Sequence, residues 1–102
     1  MKKRTLNIGQ QIEVMKGTAV PILDGKPMTI GDLVLQAIPM LSARENHMRL
    51  WNIGLEIDRA MSEGKETHEL SELDCKMLKA ALMSRDQPVW TKVNLERVFA
   101  EE

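Results

Sequence analysis

The sequence predicts an α+β fold that is mostly α, a short N-terminal β-hairpin packed on about four helices. Three observations carry this. Asp24-Gly25 stands between two apolar runs, the strongest short-range hairpin signal, because both central positions of a type I′ turn need positive φ. A hydroxyl residue precedes an acid by three positions at Thr29/Asp32, Ser42/Glu45 and Ser71/Asp74, each ahead of an apolar-periodic stretch. From residue 30 onward apolar residues recur at spacings of three and four. A chain of 102 residues is one domain. Residues 1–30 form its strand and hairpin region and 31–100 its helical region.

Thr5-Leu6-Asn7-Ile8 alternates as a short strand does. Gln10 to Met15 reads equally as helix or strand, and Gly17 ends it. The hairpin runs from Ala19 to Ile30, and its two prolines, Pro21 and Pro27, keep its strands short or at an edge.

The helices are expected at about 30–41, 43–63, 71–84 and 87–100. The first carries Leu33, Val34, Ala37, Ile38 and Leu41, and Pro39 should bend or end it. The second carries Leu50, Ile53, Ile57 and Met61, with Trp51, Leu55 and Ala60 broadening the stripe. Gly54 within it suits a close helix crossing, and Gly64 is a natural stop. Residues 63–69 read as a polar linker. The third helix carries Leu70, Leu73, Met77, Leu78, Ala81 and Leu82. The fourth starts from Asp86 as N-cap with Pro88 in its first turn. It carries Val89, Val93, Leu95 and Phe99, with Trp90 alongside. Leu50, Ile53, Ile57, Leu78 and Leu82 should be buried.

Composition narrows the chemistry. Hydrophobic residues are 43% and charged residues 28%, a globular balance. No apolar run approaches the roughly 20 residues of a membrane span. The basic start Met1-Lys2-Lys3-Arg4 is followed by no apolar signal core, and the lone Cys75 fits a reducing compartment, so a cytoplasmic location is expected. The net charge is -1, without the basic surplus of a dedicated nucleic-acid binder. Residues 1–50 nevertheless hold seven basic and four acidic residues, and residues 51–102 hold seven and eleven. The basic start reads as a solubilising tail or as a small anion or nucleic-acid contact.

Candidate catalytic groups do not assemble into a known spacing. His47, His68 and Cys75 match no metal motif, so no metal site is expected. Cys75 lies in the first turn of its helix, where the helix dipole would lower its pKa, although Glu72 and Asp74 oppose this. The pairs Glu56/Asp58 and Glu66/Glu69 read as solvated surface. The Thr29 helix start could hold an anion, with Asp32 competing for the same place. No phosphate loop is present, and no cofactor or enzymatic activity is expected. The last two helices have a helix-turn-helix outline, in which Lys92, Asn94 and Arg97 are the nucleic-acid candidates. The acidic Glu96, Glu101 and Glu102 oppose them, so specific nucleic-acid binding is not expected.

Protein contact is the remaining reading. Tryptophan offers large area with a polar edge, and methionine adapts to irregular partners. Trp90, Trp51 and Met48 are the candidate interface residues. Trp90 ranks first, because helix starts near chain ends are less covered. Either self-association or a separate protein partner would use such a surface.

Residues Ile22-Leu23-Asp24-Gly25-Lys26-Pro27-Met28-Thr29-Ile30-Gly31-Asp32-Leu33, then Leu70-Ser71-Glu72-Leu73-Asp74, then Pro88-Val89, Val93 and Arg97-Val98-Phe99 stand in an order that resembles small uncharacterised proteins of tailed phages and prophages. The resemblance spans roughly two-thirds of the chain. The chain departs from it in its Met-rich and Trp-bearing segments and in Pro39. The resemblance implies a viral accessory protein in the host cytoplasm. Such a protein would act by contact with a host or defence protein and inhibit it, or would serve as a virion or tail assembly factor or chaperone. A small DNA-binding regulator is the third expectation.

Overall fold

A computed structural model describes residues 2–17, 22–23, 25–41 and 46–99. Strand β1 (Lys3–Leu6) precedes two-residue strands β2 (Ile22–Leu23) and β3 (Lys26–Pro27). Helix α1 (Ile30–Ala37) runs into a 3-10 helix at Ile38–Met40, followed by α2 (His47–Ser62), β4 (His68–Ser71), α3 (Glu72–Met83) and α4 (Val89–Phe99). The α+β, mostly helical class is as expected.

The hairpin pairs Ile22 with Pro27 and Leu23 with Lys26, and Gly25 has the positive φ (79°) its turn requires. Asp24 and residues 18–21 of the expected hairpin lie outside the described residues. So do residues 42–45, which contain the second of the three expected helix starts.

A second sheet was not expected. Strand β4 occupies what reads as linker and helix start, and pairs antiparallel with β1: Lys3 with Ser71, Arg4 with Leu70, Thr5 with Glu69, Leu6 with His68. The pleat sorts the side chains. Arg4, Leu6, His68 and Leu70 face inward, whereas Lys3, Thr5 and Glu69 are exposed. Arg4 is therefore no free tail residue: its guanidinium donates to the Phe99 carbonyl at the C-terminus of α4, 3.1 Å away.

Residues 7–13 cross from this sheet to α4 as an extended strap with one antiparallel β-bridge, Gln11 to Thr29, so the helix-or-strand ambiguity resolves to extended chain and no helix. Ile8 and Ile12 are buried along it. Its backbone groups are satisfied one by one. Gly9 N–H donates to Glu66 O (2.9 Å) and Ile12 N–H to Met28 O (3.2 Å). Ile8 O and Gln10 O accept from Gly31 and Ile30, both at 2.8 Å. Gly31 permits that approach: a Cβ there would lie 2.9 Å from Ile8 O and 2.6 Å from Met61 Sδ. At the far end, Asn94 clamps the strap. Its Oδ1 accepts from Glu13 N–H (2.8 Å), and its Nδ2 donates to Glu13 O (2.9 Å) and to Trp90 O (2.7 Å).

The helix ends follow local chemistry. Thr29 and Asp32 complete a reciprocal capping box on α1. Ser71 caps α3 by accepting from Asp74 N–H, but the Asp74 carboxylate turns away to Arg49. Helix α2 begins at His47, later than expected, behind Asn46 in the left-handed region and with no side-chain cap. It ends as expected in a Schellman turn: Gly64 N–H donates to Met61 O and Lys65 N–H to Ala60 O. Helix α4 begins at Val89, with the Pro88 carbonyl accepting from Thr91 and Lys92, so the cap position is Pro88 and not Asp86. Pro39 ends α1 by turning the chain into the 3-10 helix.

The core gathers Leu33, Val34 and Ile38 with Leu50, Ile53, Ile57, Leu78, Leu82, Leu95 and Phe99. The five residues expected to be buried are buried. Gly54 backs onto Ile38, whose Cδ1 would be 3.3 Å from an added Cβ. Two expected core lines are turned outward. Leu73 is exposed, because the inward line of α3 runs through Cys75, Leu78 and Leu82. Val89 is 75% exposed and Val93 partly so, because α4 presents Thr91, Asn94, Leu95 and Phe99 to the core.

The Asn94 clamp is the testable joint of this arrangement. Asn94→Ala leaves both Glu13 backbone groups without their partner and should cost about 1–3 kcal/mol. Asn94→Asp should cost at least as much, since it sets a carboxylate against two carbonyls. Urea unfolding of the two variants measures this. A value for Asn94→Ala within 0.5 kcal/mol of the parent would show that the clamp is not holding the strap.

Candidate functional site

The nucleic-acid candidates on α4 are not free to read a base. Asn94 is 2% exposed, and both ends of its amide are held by Glu13 and Trp90. Arg97 is exposed but ion-paired with Glu13. Lys92 is half-buried on another side of the helix. The outward face of α4 carries Val89, Val93, Glu96 and Arg97, an apolar and mixed-charge line without a basic stripe. The three residues thus do not form a common reading edge, because the strap has taken the middle one.

The other chemical candidates are dispersed. Cys75 is fully buried, and burial pushes its thiol pKa up, with Arg4 opposing. That reverses the expected effect of the helix dipole. His47 opens α2, whereas His68 lies in β4 with a buried Nε2 that has no hydrogen-bond partner, 3.9 Å from Glu56 Oε1. Among the described residues no group of three or more His, Cys, Asp or Glu is placed to hold a metal ion. None of the described helices is long and apolar enough to cross a membrane. The α1 N-terminus has no open donors for an anion. Ile30 and Gly31 donate to Gln10 and Ile8 carbonyls, Asp32 to Thr29 Oγ1 and Leu33 to Thr29 O.

The most conspicuous unused surface is on α2. Its residues turn by 100° each, so Met48, Trp51 and Leu55 fall within about 60° of arc. They are 63%, 51% and 52% exposed. Met40, on the adjacent 3-10 helix, is 64% exposed. Trp51 stands as a ridge between two shallow grooves whose shared wall is Ile38 and Pro39. His47 and Met48 flank the first groove, and Leu55 and Asp58 flank the second. The structure thus brings Trp51 and Met48 together and adds Leu55. In the sequence Trp51 and Leu55 read as widening the core stripe. They form instead a second apolar line, opposite Leu50, Ile53 and Ile57, and the spacing of 48, 51 and 55 is its sequence signal.

Trp90 is separate. It is half-buried against the core, and its carbonyl is held by Asn94. It contributes the wall of another groove with Val14, Met15, Val89 and Val93, rimmed by the Glu13–Arg97 pair. Trp51 is thus the more exposed of the two tryptophans.

On the opposite side of α2, Arg49 grips Asp74 through two parallel hydrogen bonds, Nε to Oδ1 at 3.0 Å and Nη2 to Oδ2. The Arg49 guanidinium holds the Asp74 carboxyl below its ordinary range, and Ser71 adds to this. Because the folded value is depressed, the pair stabilises the protein above about pH 4 and loses its contribution as pH falls further. Arg49 is half exposed, so solvent screening limits the gain to about 0.5–1 kcal/mol. Asp74→Asn should lower stability by that amount at pH 7, with the difference shrinking towards zero near pH 2–3. Urea midpoints across this range check it.

No protein-family profile, curated protein or solved structure matches the chain.

Proposed function

We propose that this protein acts without catalysis, by protein–protein contact through the α2 face built from Met48, Trp51 and Leu55. The observation that carries the proposal is that second apolar line. Three large apolar side chains, each more than half exposed, gather on one side of α2, and none of them belongs to the buried core. Clustered exposed apolar groups mark interaction sites, and a central tryptophan is a typical energetic anchor. The resemblance to small phage and prophage proteins supports a viral accessory role in the host cytoplasm. Its two forms are inhibition of a host or defence protein and assistance to virion assembly. The DNA-regulator reading loses support, because its central residue Asn94 is occupied.

Affinity purification from infected cells tests this. Trp51→Glu and Leu55→Lys change only exposed positions and should keep the parental circular dichroism and melting temperature. Both should lose a protein that the parent and a Val89→Glu control retain. Whether that protein is of host or virion origin decides between the two forms. An identical retained set for all four chains would refute the α2 face as the contact surface.

A further inference from the structure

We infer that the occupant of the α2 face is a second copy of this chain, docked antiparallel about a two-fold axis through the middle of the helix. The inference rests on the reading of that face as a docking surface and adds what covers it.

The argument is self-complementarity. A two-fold axis lying in the contact plane and perpendicular to α2 reverses the helix while keeping each flank on its own side. Every residue then meets its counterpart reflected about the helix midpoint. Trp51 and Leu55 are centred on position 53, so each Trp51 ridge would meet the partner's Leu55 side, where the second groove opens. His47 and Asp58 lie together on the other flank of Trp51, towards the 3-10 helix, each at the wall of one groove. They are centred half a residue away, about 0.75 Å along the axis. The same operation that seats the tryptophan therefore places Asp58 opposite His47, twice per dimer. A parallel two-fold, with its axis along the helix, swaps the flanks and leaves His47 and Asp58 of one copy on the opposite side of the contact from those of the other. Ridge, groove and polar pairing thus agree on the antiparallel arrangement. The face is one helix long, so the dimer belongs at the small end of specific interfaces, with a Kd on the order of micromolar.

Sedimentation equilibrium of the purified full chain between roughly 0.1 and 100 µM tests this without any other protein present. The parent should pass from monomer to dimer over that range. Trp51→Glu and Leu55→Lys should remain monomeric while keeping the parental circular dichroism. His47→Asp sets like charges opposite each other at two places and should weaken the dimer about tenfold. Asp58→Lys removes both pairs and should weaken it several-fold. The double variant His47→Asp/Asp58→Lys sets an acid opposite a base at both places and should return to within about threefold of the parent, which a merely structural role for either residue would not produce. A parent that stays monomeric at the highest concentration overturns the inference. If Trp51→Glu still loses a retained protein in the infected-cell experiment, the docking face stands and its occupant is a different protein. A dimer indifferent to Trp51→Glu overturns the inference and leaves the reading of the α2 face to the infected-cell experiment. A dimer sensitive to Trp51→Glu but not rescued by the double variant overturns the antiparallel pairing.

Discussion

Residues 7–13 cross the molecule with a single β-bridge, Gln11 to Thr29, so most of their backbone groups find partners outside any ladder. A buried amide or carbonyl left unpaired costs on the order of 1–3 kcal/mol, and a run of such losses would exceed the margin by which small domains are stable. The remaining elements are arranged to meet this demand. The Glu66 carbonyl takes Gly9, the first turn of α1 donates to Ile8 and Gln10, the Met28 carbonyl takes Ile12, and Asn94 takes both groups of Glu13. In return the strap buries Ile8 and Ile12 and ties β1 to α1 and α4.

This arrangement decides which surfaces are left for function. The α1 N-terminus, an anion site in outline, has its donors turned to the strap. The polar middle of α4, a DNA-reading helix in outline, faces inward to hold Glu13, and this rotation puts Val89 and Val93 outside. Trp90 is drawn against the core by the same contact. Helix α2 lies away from the strap's end and has two apolar lines. One packs against α1, and the other, Met48, Trp51 and Leu55, is left facing solvent. The candidate function follows from that remainder and not from an assembled set of reactive groups.

Local chemistry was legible in the residues. The Thr29 capping box, the Schellman turn at Gly64, the positive φ of Gly25 and the buried line of Leu50, Ile53 and Ile57 each depend on neighbours within a few positions. What was not legible depends on residues far apart in the chain. Strand β4 contains one apolar residue, Leu70, and becomes a strand only because β1, more than 60 residues earlier, lies beside it. A buried Asn94 cannot be inferred on α4 without Glu13, 81 residues away. The α2 face was half legible. Met48 and Trp51 drew attention by residue type, but Leu55 merged with the core stripe until the direction of the helix was known.

The central claim is that the strap is part of the cooperative core and not a loop lying on it. Native-state hydrogen exchange measures this amide by amide. If the claim holds, the amides of Gly9, Ile12, Glu13, Ile30 and Gly31 exchange with the same free energy as those of Ile53 and Leu78 in the helical core, and all open together at global unfolding. Strap amides that exchange several kcal/mol more readily, while Ile53 and Leu78 keep full protection, would show that the helices hold together without it and would contradict the account.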